Sequence, residues 1–511
     1  MHELELVLDG GERPDPAAAL AAVTDYSCAA AGRPRTVRRL WLDTFDWRLY
    51  AAGLTLEQSS RAGHTEITLL RLDGGPVASG PGPVRWPTTA GTLGPGELRQ
   101  RLAPVTGIRA LLPVARAVSA VRELRILNND QKTVARLTIE APAVTQPAPA
   151  QLPARVLVTP VRGYQADARR VATALAGMPG TQAANGSLLA AALAPAGRRP
   201  GDYTGKVDVS LTASCPARLA MGAVLLQLLD TLTANLGGTV RELDPEFLHD
   251  LRVSVRRTRS ALKLAGDVLP AALPRRFGHE FKWLGELTTA ARDLDVYLLG
   301  FPGMAASLTA GTPEELEPLR AYLCRQRAAE HRRLAAGLRS ARFTGLTESW
   351  RSALTGLRAP ARGPAIGSFA AARLGRTYRT VLSQGAAITD ASPPEALHDL
   401  RKRCKELRYL LEFFASLHDP RAHQRVLKDL KGLQDCLGGY QDGQVQQEEL
   451  RAFAGRMKPD VPAATLLAMG ELAGQLAAGQ RRARQEFAGR FADFASPRAQ
   501  RRMRALTAAP S

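Results

Sequence analysis

One sequence pattern occurs twice in the chain, and it limits the available folds more than any other feature. Leu-His-Asp-Leu-Arg stands at residues 248–252 and again at residues 397–401, which is 149 positions later. The offset continues downstream without a gap, since Asp293 matches Asp442. A repeat that keeps its polar residues together with its leucines indicates a duplicated structural unit. The second half of the chain is therefore expected to fold as two related units.

Each copy of the pattern is amphipathic when it is placed on a helix. At about 100° per residue, the histidine and the basic residues that follow it share one stripe, with leucines on the adjoining face. The first stripe contains His249, Arg252, Arg256, Arg259 and Lys263, and the second contains His398, Arg401, Lys405 and Arg408. The one acidic exception is Glu412, at the position equivalent to Lys263. Solvated helix faces normally mix charges, so stripes of one sign predict an anionic partner.

The composition agrees with an anionic partner and with a cytoplasmic protein. The chain has 68 Lys and Arg against 48 Asp and Glu, which gives a formal net charge of +20. Its five cysteines lack zinc-site spacing, which is typical of free thiols in a reducing compartment. The acidic N-terminus is unlike a signal peptide, and the apolar run Leu219–Leu232 is too short to span a bilayer. We expect a soluble cytoplasmic protein with no membrane partner, no metal and no cofactor.

Residues 1–195 predict an α+β domain with a largely antiparallel sheet or barrel. Short alternating segments indicate strands, and Val121–Ile126 with Thr133–Glu140 is typical of a hairpin. Residues 73–96 are dense in Gly and Pro and predict a loop. Helices are predicted at Pro16–Ala31 and Ala166–Ala176.

A linker rich in Ala, Gly and Pro, residues 196–210, precedes an all-α domain at residues 211–495. The repeats occupy about 211–357 and 366–490. A duplicated set of long antiparallel helices predicts two helical bundles related by a pseudo-two-fold axis. That axis would bring the two basic stripes to face one another across a cationic cleft. The predicted helices include Arg275–Leu299, Pro420–Leu437 and Gly439–Ala454.

The N-terminal region resembles the CYTH, or triphosphate tunnel, family. Residues 3–7 (Glu-Leu-Glu-Leu-Val) resemble its ExExK signature, and residues 41–44 (Trp-Leu-Asp-Thr) resemble its aromatic-x-Asp-Thr segment. The resemblance implies a barrel that binds triphosphate with Lys and Arg and holds a divalent metal with glutamates. This chain departs from the pattern, because Val7 replaces the signature lysine and Thr55 and Glu57 replace arginines. We therefore predict a relative of that family without catalysis.

Residues 201–511 closely resemble the CHAD family. The resemblance rests on the two Leu-His-Asp-Leu-Arg helices with their helically spaced bases, and on the downstream segment 292–296 (Arg-Asp-Leu-Asp-Val). It implies an α-helical double bundle that binds inorganic polyphosphate in a basic channel. The binding residues that it implies are His249, Arg252, Arg256, Arg259, Lys263 and Lys282 in the first copy, and His398, Arg401, Lys405, Arg408 and Lys431 in the second, with Lys428 as a further candidate.

The hypothesis from the sequence is a non-catalytic, polyphosphate-binding protein, which leaves an association with polyphosphate granules open. Two alternatives also stay open: a metal-dependent triphosphatase of the CYTH type and a nucleic-acid-binding protein. Aromatic residues make up only 5% of the chain, which weighs against nucleic acid because single strands bind by base stacking. The sequence does not decide whether His249 and His398 contact phosphate or stabilise their helices.

Overall fold

The computed structural model describes residues 4–8, 20, 25–359, 362–457 and 461–507. The chain divides into two compact units, residues 1–204 and residues 205–511. The first unit contains an antiparallel sheet and the second is all-helical, so the predicted fold classes are confirmed in that order.

The N-terminal unit is built mainly from strands. They are β1 (Leu4–Leu8), β2 (Ser27–Ala30), β3 (Arg35–Thr44), β4 (Leu54–Arg61), β5 (His64–Arg71), β6 (Pro76–Pro81), β7 (Thr88–Thr89), β8 (Ala110–Leu127), β9 (Thr133–Gln146), β10 (Ala150–Gln151), β11 (Ala154–Pro160) and β12 (Thr181–Ala183). The helices among the described residues of this unit are α1 (Arg48–Ala51), α2 (Glu97–Thr106), α3 (Gln165–Ala176) and α4 (Leu188–Leu193).

The strands form one antiparallel sheet, in which nine strands follow the order β12-β1-β11-β9-β8-β3-β4-β5-β6. Strands β2 and β7 pair with β8, and β10 pairs with β9. The long hairpin of β8 and β9 contains the predicted one, and its turn is stabilised by Asn128. The side-chain oxygen of Asn128 accepts a hydrogen bond from the backbone N–H of Lys132 at 2.9 Å, an interaction for which Asn is favoured in turns. Leu56 and Leu69 pack with Leu102 of α2 in one of the cores of this unit.

Two predictions for the N-terminal unit are wrong in part. The predicted helix Pro16–Ala31 ends in strand β2 instead, while residues 16–19 and 21–24 lie outside the described residues. The predicted loop at residues 73–96 contains β6 and β7. Strand β6 lies at the edge of the sheet, where a proline that donates no hydrogen bond is tolerated.

The C-terminal unit consists of α5 (Ala217–Val240), α6 (Pro245–Leu264), α7 (Ala272–Leu287), α8 (Thr289–Ala306), α9 (Glu317–Leu338), α10 (Ala341–Thr355), α11 (Ile366–Ala386), α12 (Pro394–Phe413), α13 (Pro420–Met457), α14 (Ala463–Phe494) and α15 (Pro497–Thr507). Helices α6 and α12 begin and end 149 residues apart, and α5 and α11 begin 149 residues apart. The sequence repeat is therefore also a repeat of secondary structure.

Equivalent helices of the two repeats pack against one another. Helix α5 contacts α11, α6 contacts α12, and α9 contacts α14. Contact between an element and its own counterpart is what a two-fold arrangement requires. The cores are also shared, since the equivalent residues Leu251 and Leu400 are fully buried in one cluster and the equivalent residues Phe301 and Leu450 lie in another. The two repeats therefore share their hydrophobic cores across the pseudo-two-fold axis.

The prediction of a single helix at Arg275–Leu299 is wrong, because α7 and α8 meet at Thr288. The Thr288 hydroxyl donates to the carbonyl oxygens of Leu284 (3.1 Å) and Gly285 (2.9 Å). Hydrogen bonds from a hydroxyl to the carbonyl oxygens of the preceding turn compete with the backbone hydrogen bonds of the helix and bend it. The chain therefore changes direction at Thr288.

The opposite error occurs at the equivalent place in the second repeat. Helices predicted at Pro420–Leu437 and Gly439–Ala454 are one continuous helix, α13. A glycine inside a helix costs only about 1 kcal/mol relative to alanine, and packing outweighs this cost. The helix even needs a small residue where it approaches α14, because a Cβ on Gly443 would lie 3.2 Å from the carbonyl oxygen of Leu476.

Helix α5 is the part of the described chain that is long and apolar enough to cross a membrane by length and composition alone. The apolar window of α5 is 56% buried inside the unit, and Leu225 and Leu228 lie in its core. This burial is typical of the core helix of a soluble domain.

Candidate functional site

Helix α6 begins at a capped N-terminus that fixes the direction of its basic stripe. The Asp244 side chain accepts a hydrogen bond from the backbone N–H of Glu246 at 2.9 Å, and Pro245 occupies the first turn. Leu251 is fully buried, which turns the neighbouring stripe away from the core. Helix α12 begins at the equivalent Pro394 and buries its leucines in the same way.

A pocket of about 360 Å³ lies where α6 and α8 meet α12 and α13. Five pairs of repeat-equivalent positions contribute both members to its lining: Arg252 and Arg401, Arg292 and Gln441, Asp293 and Asp442, Val296 and Val445, and Tyr297 and Gln446. A pocket that is lined by both copies of the same positions lies on the pseudo-two-fold axis. We call it the axial pocket.

Of the residues predicted from the sequence, His249, Arg252, Arg256 and Arg401 line the axial pocket. The sequence prediction did not include Arg292, which lines it as well. The repeat gives no signal for Arg292 as a binding residue, because the equivalent residue in the second copy is Gln441.

The two histidines have different partners, because the residues at positions 292 and 441 differ. In the first repeat, Nη2 of Arg292 lies 3.0 Å from Nδ1 of His249. A guanidinium only donates, so Nδ1 accepts and the proton of the neutral ring is on Nε2. Burial lowers the pKa of His249, and the charge of Arg292 lowers it further, which favours this neutral form. In the second repeat, Nδ1 of the exposed His398 lies 2.8 Å from Oε1 of Gln441.

The two equivalent arginines of the pocket also differ in their partners. Arg252 donates to the hydroxyl of Thr289 at 2.7 Å and to the carbonyl oxygen of Gly285 at 3.2 Å, and both acceptors are neutral. Burial lowers the pKa of Arg252, and the nearby Asp293 carboxylate opposes that effect. Arg401 instead donates directly to the carboxylate of Asp442 at 3.0 Å. The charge of Arg401 is therefore already compensated inside the protein.

Positive charges from both stripes converge near Lys405, the residue equivalent to Arg256. Burial is the main reason why the pKa of Lys405 falls to about 8. The nearby charges of Arg401, Arg256 and Arg252 lower it further. Two of these arginines belong to α6 of the other repeat, so the basic residues of α6 and α12 share one electrostatic environment.

The other predicted residues lie outside the lining of the axial pocket. Three of them have a carboxylate neighbour: the pairs are Lys263 with Glu406 (2.6 Å), Arg408 with Glu412 (2.8 Å) and Lys282 with Glu286 (3.9 Å). Arg259 is exposed on α6, and Lys428 and Lys431 are exposed in the first half of α13.

Two ion pairs that were not predicted from the sequence join α6 to α12. Nη2 of Arg257 lies 2.6 Å from Oε2 of Glu412, and Nζ of Lys263 lies 2.6 Å from Oε1 of Glu406. Positions 257 and 406 are equivalent, and so are positions 263 and 412. The two pairs are therefore the same contact formed twice about the axis, with acid and base exchanged. Glu412, the acidic exception in the second stripe, is explained by this contact.

Three carboxylates, Asp293, Asp442 and Glu449, also line the axial pocket. Burial raises the pKa of Asp293, and the charges of Arg252 and Arg292 oppose that effect. Burial also raises the pKa of Glu449, and the Asp293 charge raises it further. Among the residues that the structure describes, no cluster of three or more His, Cys, Asp or Glu side chains is arranged to hold a metal ion.

The charged side chains of the N-terminal sheet compensate one another. Arg39 of β3 lies between Glu57 of β4 and Glu140 of β9, and its Nε is 3.0 Å from Oε1 of Glu57. Burial raises the pKa of Glu57, and Arg39 opposes that effect. Glu57 stands where the CYTH pattern has an arginine. In this chain the position therefore carries a carboxylate, and that carboxylate pairs with Arg39.

The opening motif contains two glutamates, Glu3 and Glu5. Glu3 lies outside the described residues. Glu5 on β1 pairs with Arg155 on β11 at 2.6 Å. This side chain therefore has a protein cation as its partner.

Replacing Lys405 by methionine is expected to stabilise the ligand-free protein at pH 7 by about 1–2 kcal/mol, after allowance for solvent screening. The ordinary lysine pKa of 10.5 falls to about 8 in the fold, so the buried ammonium opposes folding. The unfolded chain holds this proton more tightly than the folded one. The wild-type free energy of unfolding should therefore rise between about pH 8 and pH 10.5, and the advantage of the variant should shrink over that window.

Chemical denaturation at pH 7 and at pH 10 measures this difference. Lys402→Met is the matched control, because Lys402 is an exposed lysine on the same helix, paired with Asp399 at 2.9 Å. It should change stability by no more than about 0.5 kcal/mol. A Lys405→Met variant that is less stable than the wild type at pH 7 would contradict the proposed cost of the buried charge.

Comparison with known proteins gives a family for the helical unit. The CHAD domain family model matches residues 223–451, a range that contains both histidine helices. This match confirms the resemblance that the sequence pattern indicated for that region. No curated protein matches the chain.

Several solved structures align with parts of the chain. The CHAD domain from the plant Ricinus communis is 27% identical, with a TM-score of 0.46, over 55% of this chain and 96% of that chain. PptA from Streptomyces chartreusis is 16% identical, with a TM-score of 0.44, over 54% of this chain and 99% of that chain. A putative adenylate cyclase from Bacillus halodurans is 11% identical, with a TM-score of 0.22, over 34% of this chain and 90% of that chain.

The resemblance of the N-terminal part to the CYTH family rests on its sequence motifs. The match to the CHAD family model covers both histidine helices and every residue that lines the axial pocket. Residues 223–451 are therefore a CHAD domain.

Proposed function

We propose that this protein binds inorganic polyphosphate in the axial pocket and along the adjoining basic faces of α6 and α12. The observation that carries the proposal is the convergence of cationic groups from both repeats. Arg252, Arg256, Arg292 and Arg401 line one pocket, and Lys405 lies within reach of three arginine charges. Positive groups this close repel one another in the empty protein, and a polyanion relieves that repulsion.

The chemistry of the pocket suits phosphate oxygens. Guanidinium groups offer forked donors that match two oxygens at once, and such charge-assisted bonds are the strong ones. His249 adds a neutral donor at Nε2, since its Nδ1 is occupied by Arg292. The membership of the helical unit in the CHAD family supports the same ligand class. Binding of this kind would place the protein on polyphosphate granules in a cell that contains them.

Nucleic acid fits the pocket less well than polyphosphate does. Stacking on exposed aromatic rings is how proteins hold unpaired bases. The aromatic residue of the pocket is Tyr297, which is only 3% exposed. Its hydroxyl donates to the carbonyl oxygen of Gln446 at 3.0 Å, and its ring packs edge-on against Phe453. This ring is therefore part of the core and is not a platform for a base.

Binding of long-chain polyphosphate by the full chain is expected to weaken steeply as salt increases. Each phosphate that is neutralised by Arg or Lys releases counterions, as in nucleic-acid complexes, so the logarithm of affinity should fall linearly with the logarithm of salt concentration. Calorimetric titration over a range of NaCl concentrations measures the slope. A slope near zero, or the absence of binding at low salt, would overturn the proposal. Competition with single-stranded DNA at one ionic strength separates the two polyanions.

The N-terminal unit is expected not to hydrolyse triphosphates. Its Arg39 guanidinium is engaged by two carboxylates, and Arg155 is engaged by Glu5, so these cations are not available to a triphosphate. Phosphate release from ATP and from tripolyphosphate, with magnesium or manganese, is the measurement on the full chain. Metal-dependent release that Glu5→Ala abolishes would show that the triphosphatase alternative is correct.

A further inference from the structure

We propose that the axial pocket is functionally one-sided: its first-repeat wall holds the most highly charged phosphate group of the ligand, and its second-repeat wall repels it. This inference rests on the proposed polyphosphate function and deepens it. It makes a pseudo-symmetric protein bind its ligand asymmetrically, and it assigns Arg292 as a residue that determines which side is used.

The first difference between the walls is the exchange of Arg292 for Gln441. Arg292 is half-buried, and it donates to the carbonyl oxygen of Pro245 at 3.0 Å and to His249. Nη2 of Arg292 also lies 3.9 Å from Oε1 of Glu246, a longer ion pair than the one between Arg401 and Asp442 at 3.0 Å. These contacts hold the guanidinium in place and leave Nε2 of His249 as the remaining donor of that ring. Gln441 carries no charge, so the second wall lacks the cation. It also lacks the contact by which that cation orients the histidine ring.

The second difference is the state of the equivalent arginines. Arg252 donates to a hydroxyl and a carbonyl oxygen, and the nearby Asp293 carboxylate acts on its charge without a direct hydrogen bond. Arg401 forms a direct ion pair with Asp442. A phosphate would have to compete with this carboxylate for Arg401. It can bind Arg252 without displacing a carboxylate, because the hydrogen-bond acceptors of Arg252 are neutral.

The third difference is the distribution of charge between the two walls. The first repeat contributes three arginines and one aspartate to the pocket, and the second contributes one arginine and two carboxylates. The electric field across the pocket therefore points from one repeat to the other. An anion is drawn to the first wall and away from Asp442 and Glu449.

These differences suit a compact group of high charge, such as the terminal phosphate of a linear chain or a short oligophosphate. The rest of a long chain would continue along α6, where Arg256 and Arg259 are exposed. Neither of these arginines forms an ion pair among the described residues, so both can contact the ligand without losing a protein partner.

Matched substitutions at equivalent positions test the inference, because the second repeat supplies the control for the first. The full chain is titrated calorimetrically with tripolyphosphate, and with long-chain polyphosphate in parallel. Arg292→Gln installs the residue that the second repeat itself has, and it should weaken tripolyphosphate binding about tenfold, the value of one charge-assisted contact. Arg252→Ala should weaken it by at least the same factor, while Arg401→Ala should weaken it less than about threefold.

A gain of affinity provides a readout that a folding defect cannot imitate. Asp442→Asn removes a repelling charge and releases Arg401, so it should tighten tripolyphosphate binding about threefold, an effect of the size expected for one screened charge. Thermal unfolding of each variant checks that the helical unit is intact.

The possible outcomes separate this inference from the function on which it rests. If the wild type binds neither ligand, the polyphosphate proposal fails and this inference fails with it. If the wild type binds and the Arg252 and Arg401 variants lose affinity equally, or the Arg401 variant loses more, only the one-sided pocket is overturned. A weakening by Asp442→Asn in a folded protein would overturn it as well.

Discussion

Replacing Glu412 by leucine is expected to destabilise the helical unit by about 3 kcal/mol or more, although Glu412 lies outside the lining of the axial pocket. Its carboxylate accepts two hydrogen bonds from Arg257, whose side chain is only 11% exposed. Without Glu412, the partner that remains to Arg257 within the described part of the chain is the carbonyl oxygen of Gly205 at 2.9 Å. A charge left buried with so little compensation is one of the most destabilising changes that a single substitution can cause.

The pseudo-axis supplies the matched control for this prediction. Lys263→Leu removes the equivalent member of the equivalent ion pair, but Lys263 is 63% exposed and its partner Glu406 keeps a second partner in Arg403 at 2.7 Å. This variant should lose less than about 1 kcal/mol, as is usual for exposed pairs. Chemical denaturation followed by the helical circular dichroism signal compares the two variants directly.

A double variant shows whether the loss comes from the buried charge. Arg257→Leu together with Glu412→Leu replaces both partners by apolar groups, which is often nearly neutral. It should therefore be more stable than Glu412→Leu alone. Equal stabilities for Glu412→Leu and Lys263→Leu, or a double variant as unstable as the sum of its parts, would contradict the role given to this pair.

The repeat and the basic stripes could be predicted because both depend on local spacing. His249, Arg252 and Arg256 share a helix face at about 100° per residue wherever that helix lies in the fold. The fold class of both units follows from similar local patterns. The axial pocket could be expected only in outline, because the sequence repeat implies an axis without giving the contacts across it.

The partners across the axis could not be predicted, because they depend on the packing of distant segments. Arg257 follows Arg256 in the chain and looks the same in the sequence, yet it is buried on Glu412, 155 residues away. Arg292 acquires its role from its distance to His249, on another helix. The boundary predicted inside α13 was wrong for a related reason. Packing of α13 against α14 outweighs the local cost of glycine in a helix.

Arg256→Ala together with Arg259→Ala is expected to weaken binding of long-chain polyphosphate at least tenfold. Both side chains are exposed on α6, and neither forms an ion pair among the described residues. Each charge-assisted contact contributes about 1.5–3 kcal/mol before screening, so the loss of two should be large. The pair at the equivalent positions, Lys405→Ala with Arg408→Ala, should cost less, because Arg408 is already paired with Glu412 at 2.8 Å.

Calorimetric titration with a chain long enough to reach both helices measures these losses and the stoichiometry together. The control is Arg498→Ala with Arg501→Ala, which removes the same charge from exposed positions on α15 and should change affinity less than about twofold, as long-range charges are screened by salt. One shared equivalent of ligand is expected, because the basic residues of α6 and α12 surround one pocket. Once a long chain is bound to one helix, its local concentration at the other helix is high, so the contacts to that helix form more readily. Two independent equivalents in the wild type, with one remaining at unchanged affinity after the α6 substitutions, would show that the two helices bind separately and not as one site.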